Sequence, residues 1–474
     1  MKRVVVIGGG ISGLAAAHRL WELGREKRLN LSVTLLEGSN RLGGLIETLH
    51  REKFLLEGGP DAFMAEKPWG MELCRRIGME DELVQTRQHP RRSFIVQRGK
   101  LVPVPKGFYL IAPARLNALI QCPLLSWKGK LRMALEPFVP AARGEQDESV
   151  ARFVRRRYGQ EALERIAQPM IGGIYAADIA RLSARAAIPQ FCEMERRFGS
   201  VSRALGRGAA GIAAGAQSAS GPRYGLFVTP KAGMVRLVEV VTRRMLQVEL
   251  KTSMPVSGVA RSGGGWIVRA GAGQGQSFQA DALCIALPAP QAAAILHSAA
   301  PELAAELSEI PYGSAATVNV GLKQVDITVP PDGFGFVVPA SEGDGMIGCT
   351  FSSVKFPGRA PEDSLLVRAF VAGPAAEQGE GEIERLVLER LRKLIGLKEN
   401  PRFTLVRRYP KSMPQYPVGH LERVARIEGK AAAIPGLQLI GNGYRGVGIP
   451  DCIHQAELAA ERIAGETTDV RPAR

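Results

Sequence analysis

Cysteine is scarce and scattered in this 474-residue chain. Its six cysteines, Cys74, Cys122, Cys192, Cys284, Cys349 and Cys452, form no CxxC pair, and the six histidines do not cluster. Such spacing supports neither a metal site nor a disulfide framework, so a reducing cytoplasm is expected. Long hydrophobic runs are also lacking. Ile111 to Trp127 comes nearest to a membrane span and is broken by Pro113, Arg115 and Pro123. Met1-Lys2-Arg3 leads straight into an apolar strand, so no signal or transit peptide is expected. Acids are outnumbered, with 62 Lys and Arg against 46 Asp and Glu, a formal charge of +16. Residues 91–157 concentrate this excess, with 14 cations and 4 acids, and no acid lies between Arg91 and Leu135. An anionic membrane surface, an acidic small molecule or a merely solvated basic face would each account for it. Nucleic acid is the poorest reading, because no recognition motif accompanies the charge. Hydrophobic content of 45% is ordinary for a globular chain with room for two or three domains.

What is present is concentrated at the start. Val4-Val5-Val6-Ile7 runs into Gly8-Gly9-Gly10-Ile11-Ser12-Gly13, then Leu14 to Leu20 reads as a helix. A second apolar strand, Leu31 to Leu36, ends on Glu37-Gly38, followed by Arg41-Leu42-Gly43-Gly44. Strand, Gly-rich turn, helix, strand and acid in that order make a dinucleotide site. Gly8 permits the turn, Gly10 admits a pyrophosphate, and Gly13 lets the helix pack on the sheet. The helix N-terminus offers free N–H groups to phosphate. Glu37 is placed to accept ribose hydroxyls. Three further segments suit the same ligand. Glu57-Gly58-Gly59-Pro60-Asp61-Ala62 is a tight turn able to approach a ring. Val256, read as ending a short strand, offers backbone hydrogen bonds to an adenine. Gly441-Asn442-Gly443-Tyr444-Arg445-Gly446-Val447-Gly448-Ile449 lies between a strand and a last helix starting near Asp451, and aims backbone N–H groups at one spot.

The expected fold is α/β. A discontinuous Rossmann-like dinucleotide domain takes residues 1–90, 225–290 and 405–474. An α+β substrate domain takes 91–109 and 291–404, where Thr317 to Leu322 and Leu365 to Val371 alternate like strands. Residues 110–205 form a helical insertion that is a candidate membrane-facing unit. There Ser149 is the expected cap of a helix carrying Val150, Phe153 and Val154, with Arg155-Arg156-Arg157 as an exposed face. Residues 206–224, rich in Gly, Ala and Ser from Gly206 to Gly221, read as a mobile loop.

The Arg41…Gly43-Gly44 extension resembles the second glycine pair of the large FAD family of amine oxidases, phytoene desaturases and porphyrinogen oxidases. Gln168-Pro169-Met170-Ile171-Gly172-Gly173-Ile174-Tyr175-Ala176-Ala177-Asp178…Leu182-Ser183 is similar to the porphyrinogen oxidase signature PxxxGIYAGDxxxLS. Ser412 to His420 (SMPQYPVGH) and Gly446 to Ile453 (GVGIPDCI) resemble the same family. With the Gly8 and Glu57 motifs, the likeness spans nearly the whole chain. Ala177 departs from it, where the family has Gly. Lys106-Gly107 and the C-terminal runs resemble the Gram-positive type, which oxidises coproporphyrinogen III. Protoporphyrinogen IX is the alternative substrate. Amine oxidation is more remote, because no flavin-linking cysteine precedes Tyr444. A non-enzymatic escort of prenylated GTPases is remote too.

The resemblance implies non-covalent FAD, held by Gly8, Gly9, Gly10, Ile11, Ser12, Gly13, Glu37, Gly38, Arg41, Gly43, Gly44, Gly59, Pro60, Asp61, Ala62, Val256, Asn442, Val447, Gly448 and Ile449. It implies three successive hydride transfers from the porphyrinogen to flavin N5, with molecular oxygen reoxidising the flavin and releasing peroxide. The flavin carries the chemistry, so no catalytic base is named. By position in the family, Arg87 would bind a propionate, and Val320 and Phe370 would flank the tetrapyrrole. The oligomeric state is left open.

Overall fold

A computed structural model describes residues 1–88, 92–104, 107–142, 144, 146–207, 227–273, 275–329 and 332–465. Nearly all of the expected loop at 206–224 lies outside these residues. The chain builds two principal sheets. The first has five strands in the order Glu249–Lys251, Leu31–Leu36, Lys2–Ile7, Ala282–Ile285 and Leu437–Leu439, all parallel. Val4 to Ile7 form its centre because an apolar run suits a strand covered on both faces, and all four are buried. On one face, Ala15, Ala16 and Ala17 of helix Ile11–Glu26 share a core with Ala456, Ala459 and Ala460 of helix Ile449–Gly465. Small side chains let these helices approach closely. On the other face, Val5 and Ile7 join a core with Ala292, Ala293, Leu303 and Leu307. These belong to helices Ala289–Leu296 and Pro301–Ser308, so the expected division at 290/291 falls inside a helix that serves the parallel sheet.

The second sheet has seven strands, in the order Phe403–Pro414, Tyr312–Lys323, Ser364–Ala372, Met346–Phe351, Gly335–Val337, Phe94–Gln97 and Lys100–Pro103. Its first strand crosses the expected division at 404/405. Alternation gives the sheet two unlike faces. Val318, Val320 and Leu322 pack with Val367, Ala369 and Val371 against Ile383, Val387 and Leu391 of helix Glu380–Ile395. Thr317, Asn319 and Arg368 point the other way, towards the Glu57–Gly59 turn of the dinucleotide unit.

Residues 110–205 are largely helical. Ser149 caps helix Val150–Tyr158 by accepting the N–H of Arg152, as expected from the sequence. Of the arginine run within it, Arg155 alone is exposed, as expected. Arg157 is fully buried, ion-paired with Glu136 and Glu195, while Arg156 bridges Glu148 and Glu195. The acids that enclose Arg157 lie 21 and 38 residues away, so the run taken alone reads as solvated. Removing one partner of such a buried pair costs about 3–5 kcal/mol. Leu163–Gly172 winds as a π-helix that contains Pro169. The non-glycine residue at positive φ in the following motif is Ala176 (φ 46°), so the departure at Ala177 carries no left-handed strain.

Candidate active site

The nucleotide end is assembled at the C-terminal edge of Lys2–Ile7, where the chain leaves for neighbours on both sides. That is where open parallel sheets bind ligands. Gly8 has φ +105°, and a side chain on Gly13 would lie 1.8 Å from the Gly8 carbonyl oxygen. Both glycines are therefore required by the backbone. Gly10 differs. A Cβ there would meet nothing nearer than Gly44 Cα at 4.0 Å, so the approach to the helix N-terminus is open. Ile11, Ser12 and Gly13 open that helix, and its first N–H groups have no intrahelical acceptor. Gly43 bridges Gly10, and its N–H donates to Gly9 O at 2.8 Å, which lays the Arg41–Gly44 loop over the turn. Arg41 fixes that loop by donating to the carbonyls of Gly44 (2.7 Å) and Ile46 (2.8 Å). Glu37 accepts the N–H of Gly9 at 2.6 Å and that of Ser39 at 2.7 Å. The N–H of Met254 donates to Glu37 O, and Pro255 lies against Gly38, so Val256 is brought beside the acid. Val256 begins strand Val256–Ser262 rather than ending one. The preceding strand stops at Lys251.

The segments expected to face a flavin ring are two turns. Gly59 has no room for a side chain, since its Cβ would lie 1.7 Å from Leu45 O. Asn319 Nδ2 donates to Glu57 O at 3.0 Å, and Thr317 Oγ1 to Gly58 O at 2.9 Å. Arg368 Nη2 donates to both Gly58 O and Gly59 O. Asp61, beside Pro60 and Ala62, pairs with Lys355 at 3.1 Å. That ion pair and the charge of Arg368 outweigh burial and hold the Asp61 carboxyl below its ordinary range. Burial dominates at Glu57 and pushes its carboxyl up to about 7. The second turn carries Asn442, Val447, Gly448 and Ile449. Tyr416 spans it, donating to Asn442 O and accepting the Gly446 N–H at 3.1 Å. Tyr416 stacks on His420, whose Nε2 bonds Tyr444 O at 2.9 Å. Lys67, at the start of helix Pro68–Arg76, and Asp451, in the first turn of helix Ile449–Gly465, pair at 2.6 Å.

The signature segment reaches the same place. Tyr175 O accepts from Gln415 Nε2, and the N–H of Ser183 donates to Tyr416 O. Ile174, Tyr175, Val337 and Val447 pack on one core. A side chain at Gly173 would touch Ile347 O and Val337. Gly348 pairs with Phe370, so the signature lies at the Phe370 end of the sheet. Phe370 pairs with Thr317, and the Arg368 guanidinium sits 4.9 Å from its ring centroid. Val320 is not on this face. It is fully buried among Val318, Leu322 and Val387, because strand alternation turns it away. Arg87 is exposed at the far end, where its N–H donates to Lys355 O. It lines a groove of about 860 Å³ with Gln324, Ser353, Val354 and Glu362, and neither Val320 nor Phe370 lines that groove.

The residues fit a flavin dinucleotide. The approach at Gly10 is open, which suits a phosphate at the helix N-terminus, and the two turns offer a long cofactor a second anchorage. Sequence reasoning missed Thr317, Asn319, Lys355 and Arg368. The polar–apolar alternation Thr317-Val318-Asn319-Val320 was the available signal.

Residues 11–464 match the family described as flavin containing amine oxidoreductase. The chain is 33% identical to a coproporphyrinogen III oxidase of Bacillus subtilis, over 97% of each chain. It is 30% identical to one of Staphylococcus aureus, over 98% of this chain and 99% of that one. A chloroplastic protoporphyrinogen oxidase of Nicotiana tabacum is 30% identical over 97% of this chain and 85% of its own. A crystal structure from Exiguobacterium sp. 255-15, assigned as a protoporphyrinogen oxidase, superposes with a TM-score of 0.85 at 30% identity, covering 98% of this chain and 99% of that one. The chain therefore belongs to the flavin containing amine oxidoreductase family, and within it to the porphyrinogen oxidases.

Proposed function

We propose that this chain oxidises coproporphyrinogen III to coproporphyrin III with non-covalently bound FAD. The reading rests on one juxtaposition: the Gly173–Tyr175 signature, Tyr416 and Val447 meet at the Phe370 end of the sheet, beside the Glu57–Asp61 turn. Curated relatives from three bacteria, at 30–33% identity, carry the coproporphyrinogen name. Bound there, FAD supplies a two-electron acceptor for hydride from a meso carbon. Six electrons and six protons leave the substrate in three rounds, and three molecules of oxygen become peroxide. The protein's part is to hold and shield. Residues 8–13 and 41–44 hold the pyrophosphate, and Glu37 and Val256 the nucleoside. Gly59 to Ala62 and Asn442 to Ile449 hold the ring. Phe370 offers an apolar surface to the tetrapyrrole. Arg87 offers a fork to a propionate from its groove. Parallel turnover of coproporphyrinogen III and protoporphyrinogen IX, followed by porphyrin fluorescence, tests the substrate. Faster conversion of protoporphyrinogen IX would select the alternative, which the tobacco relative favours.

A membrane surface is the second partner proposed. No described helix is long and apolar enough to cross a bilayer. Yet Leu116, Ile120, Trp127, Leu131, Leu135 and Phe138 are all exposed, Trp127 at 72% and Phe138 at 78%. Trp127, Leu131 and Leu135 recur every four residues along one helix face, with Lys128 and Arg115 exposed nearby. Tryptophan, leucine and lysine in that arrangement suit an anionic lipid interface. The charge of residues 91–157 alone would give contact that salt screens, and these exposed apolar side chains replace that expectation with one of partly salt-resistant contact. Flotation with anionic vesicles should persist in part at high salt and fall in a Trp127→Ser, Phe138→Ser variant. Absence of flotation at low salt would remove the membrane from the account.

A further inference from the structure

The seven-stranded sheet buries a cation that no carboxylate among the described residues neutralises by contact. Arg368 is 3% exposed. Its Nη2 donates to the carbonyls of Gly58 and Gly59, and its Nε has no partner. Asn319, its direct partner across the strand pair, is fully buried, and its Oδ1 is likewise unpartnered. The other buried arginines differ. Arg157 has Glu136 and Glu195 in contact. Arg359 spends its two terminal nitrogens on Lys231 O, Pro230 O and Thr229 Oγ1. A guanidinium withdrawn from water is costly unless an anion or a full set of acceptors replaces that water. Around Arg368 there are three acids, Glu57, Asp61 and Glu47; Asp61 is already paired with Lys355, and Glu47, which lies against Gly58, with Arg407. With Lys355, Arg359 and Arg407 the cluster holds four cations against three carboxyls. The place is thus biased towards negative charge arriving from a ligand.

We propose that Arg368 is a positioning residue for the flavin. It clamps the Glu57–Asp61 turn to the substrate sheet, and its charge favours electron uptake by the ring held against that turn. The inference rests on the reading that FAD occupies this site. A cation beside the ring stabilises the more negative, two-electron form, so its loss must lower the midpoint potential. Thr317 and Asn319 brace the same turn without charge. They should therefore affect how tightly the flavin is held more than its potential.

The test compares Arg368→Met, Arg368→Lys and Thr317→Val as FAD-loaded holoproteins. Midpoint potentials come from dye equilibration, and FAD dissociation from gel filtration and absorbance. Arg368→Met should shift the oxidised-to-reduced ratio at a fixed potential at least tenfold towards oxidised, which is about 30 mV for a two-electron couple. Arg368→Lys keeps the charge, but its side chain is one atom shorter and sets the ammonium back from the two carbonyls. It should stay within threefold of wild type in that ratio and lose FAD at least threefold faster. Thr317→Val should behave as the lysine variant does. Arg368→Met with an unchanged potential and spectrum would overturn the proposal. If that variant does not fold, unchanged FAD dissociation in Arg368→Lys overturns the clamp. Wild-type protein that takes up no FAD would overturn the underlying functional reading instead.

Discussion

The two ends of the proposed cofactor site are built by opposite means. The nucleotide end comes mostly from one stretch of chain. Gly8 to Gly13, Glu37 and Arg41 to Gly44 lie within 37 residues and bond to one another through Gly9, Gly10 and Gly43. The ring end is collected from everywhere. The Glu57–Asp61 turn depends on Thr317, Asn319, Lys355 and Arg368, and the Asn442–Ile449 turn on Tyr416 and His420. The first is a local motif that a strand and a helix suffice to shape. The second exists only once two sheets and the helical insertion have come together. Damage at the nucleotide end should therefore act on fold or cofactor binding in ways a single residue explains. Damage at the ring end should spread.

Glycine substitutions give the largest contrast. Gly13→Ala places a methyl 1.8 Å from a backbone oxygen that cannot yield. It should cost more than about 3 kcal/mol and leave little soluble protein. Gly10→Val puts its side chain into open space, with only Gly44 Cα at 4.0 Å. It should fold, with a thermal midpoint near that of wild-type apoprotein, and purify almost colourless. Full FAD occupancy in Gly10→Val, measured by absorbance after gel filtration, would move the pyrophosphate elsewhere.

Acidity should separate the ends next. His18, on the helix that opens the nucleotide site, is buried, and burial drives its pKa down to about 4. The folded state resists the proton that the unfolded chain accepts near 6.5. Stability is thus lost as pH falls from about 6.5 towards 4, by up to about 3 kcal/mol. Glu57 at the ring end has the opposite sign. Burial raises its pKa to about 7, so its contribution is present at low pH and is lost as pH rises through about 7. Chemical denaturation of His18→Leu and Glu57→Gln between pH 5 and 8 should flatten the two slopes separately. Identical slopes in wild type and both variants would refute this division.

The smallest effect expected is at Arg87. Its groove lies at the end of the sheet away from Phe370, and its side chain is exposed. Arg87→Ala should keep FAD and lower kcat/KM for coproporphyrinogen III by roughly tenfold if a propionate reaches the groove, the scale of one charge-assisted hydrogen bond. An unchanged value would take Arg87 out of the site and leave the Phe370 face as the substrate surface.

This contrast also explains how far the sequence could be read. Glycine, strand and acid in the first 44 residues carry their geometry with them, because each acts on near neighbours. Tyr175, Tyr416 and Val447 were found through resemblance, and the structure shows the segments touching. What escaped was set by long-range partnership. Nothing near Arg157 in the chain reveals that Glu136 and Glu195 will enclose it. Nothing near Arg368 reveals that it meets Gly58 and Gly59. Val320 was legible and misassigned: one step along a strand reverses the face, and Thr317 and Asn319 already marked the polar side.

The central claim is that the two ends hold one flavin in electron-transfer contact with a porphyrinogen. Anaerobic mixing of the FAD-loaded protein with coproporphyrinogen III tests it without involving oxygen. The account predicts that the flavin's visible band bleaches within a single turnover as substrate is consumed. A band that stays unbleached, with substrate intact and FAD fully bound, would contradict it.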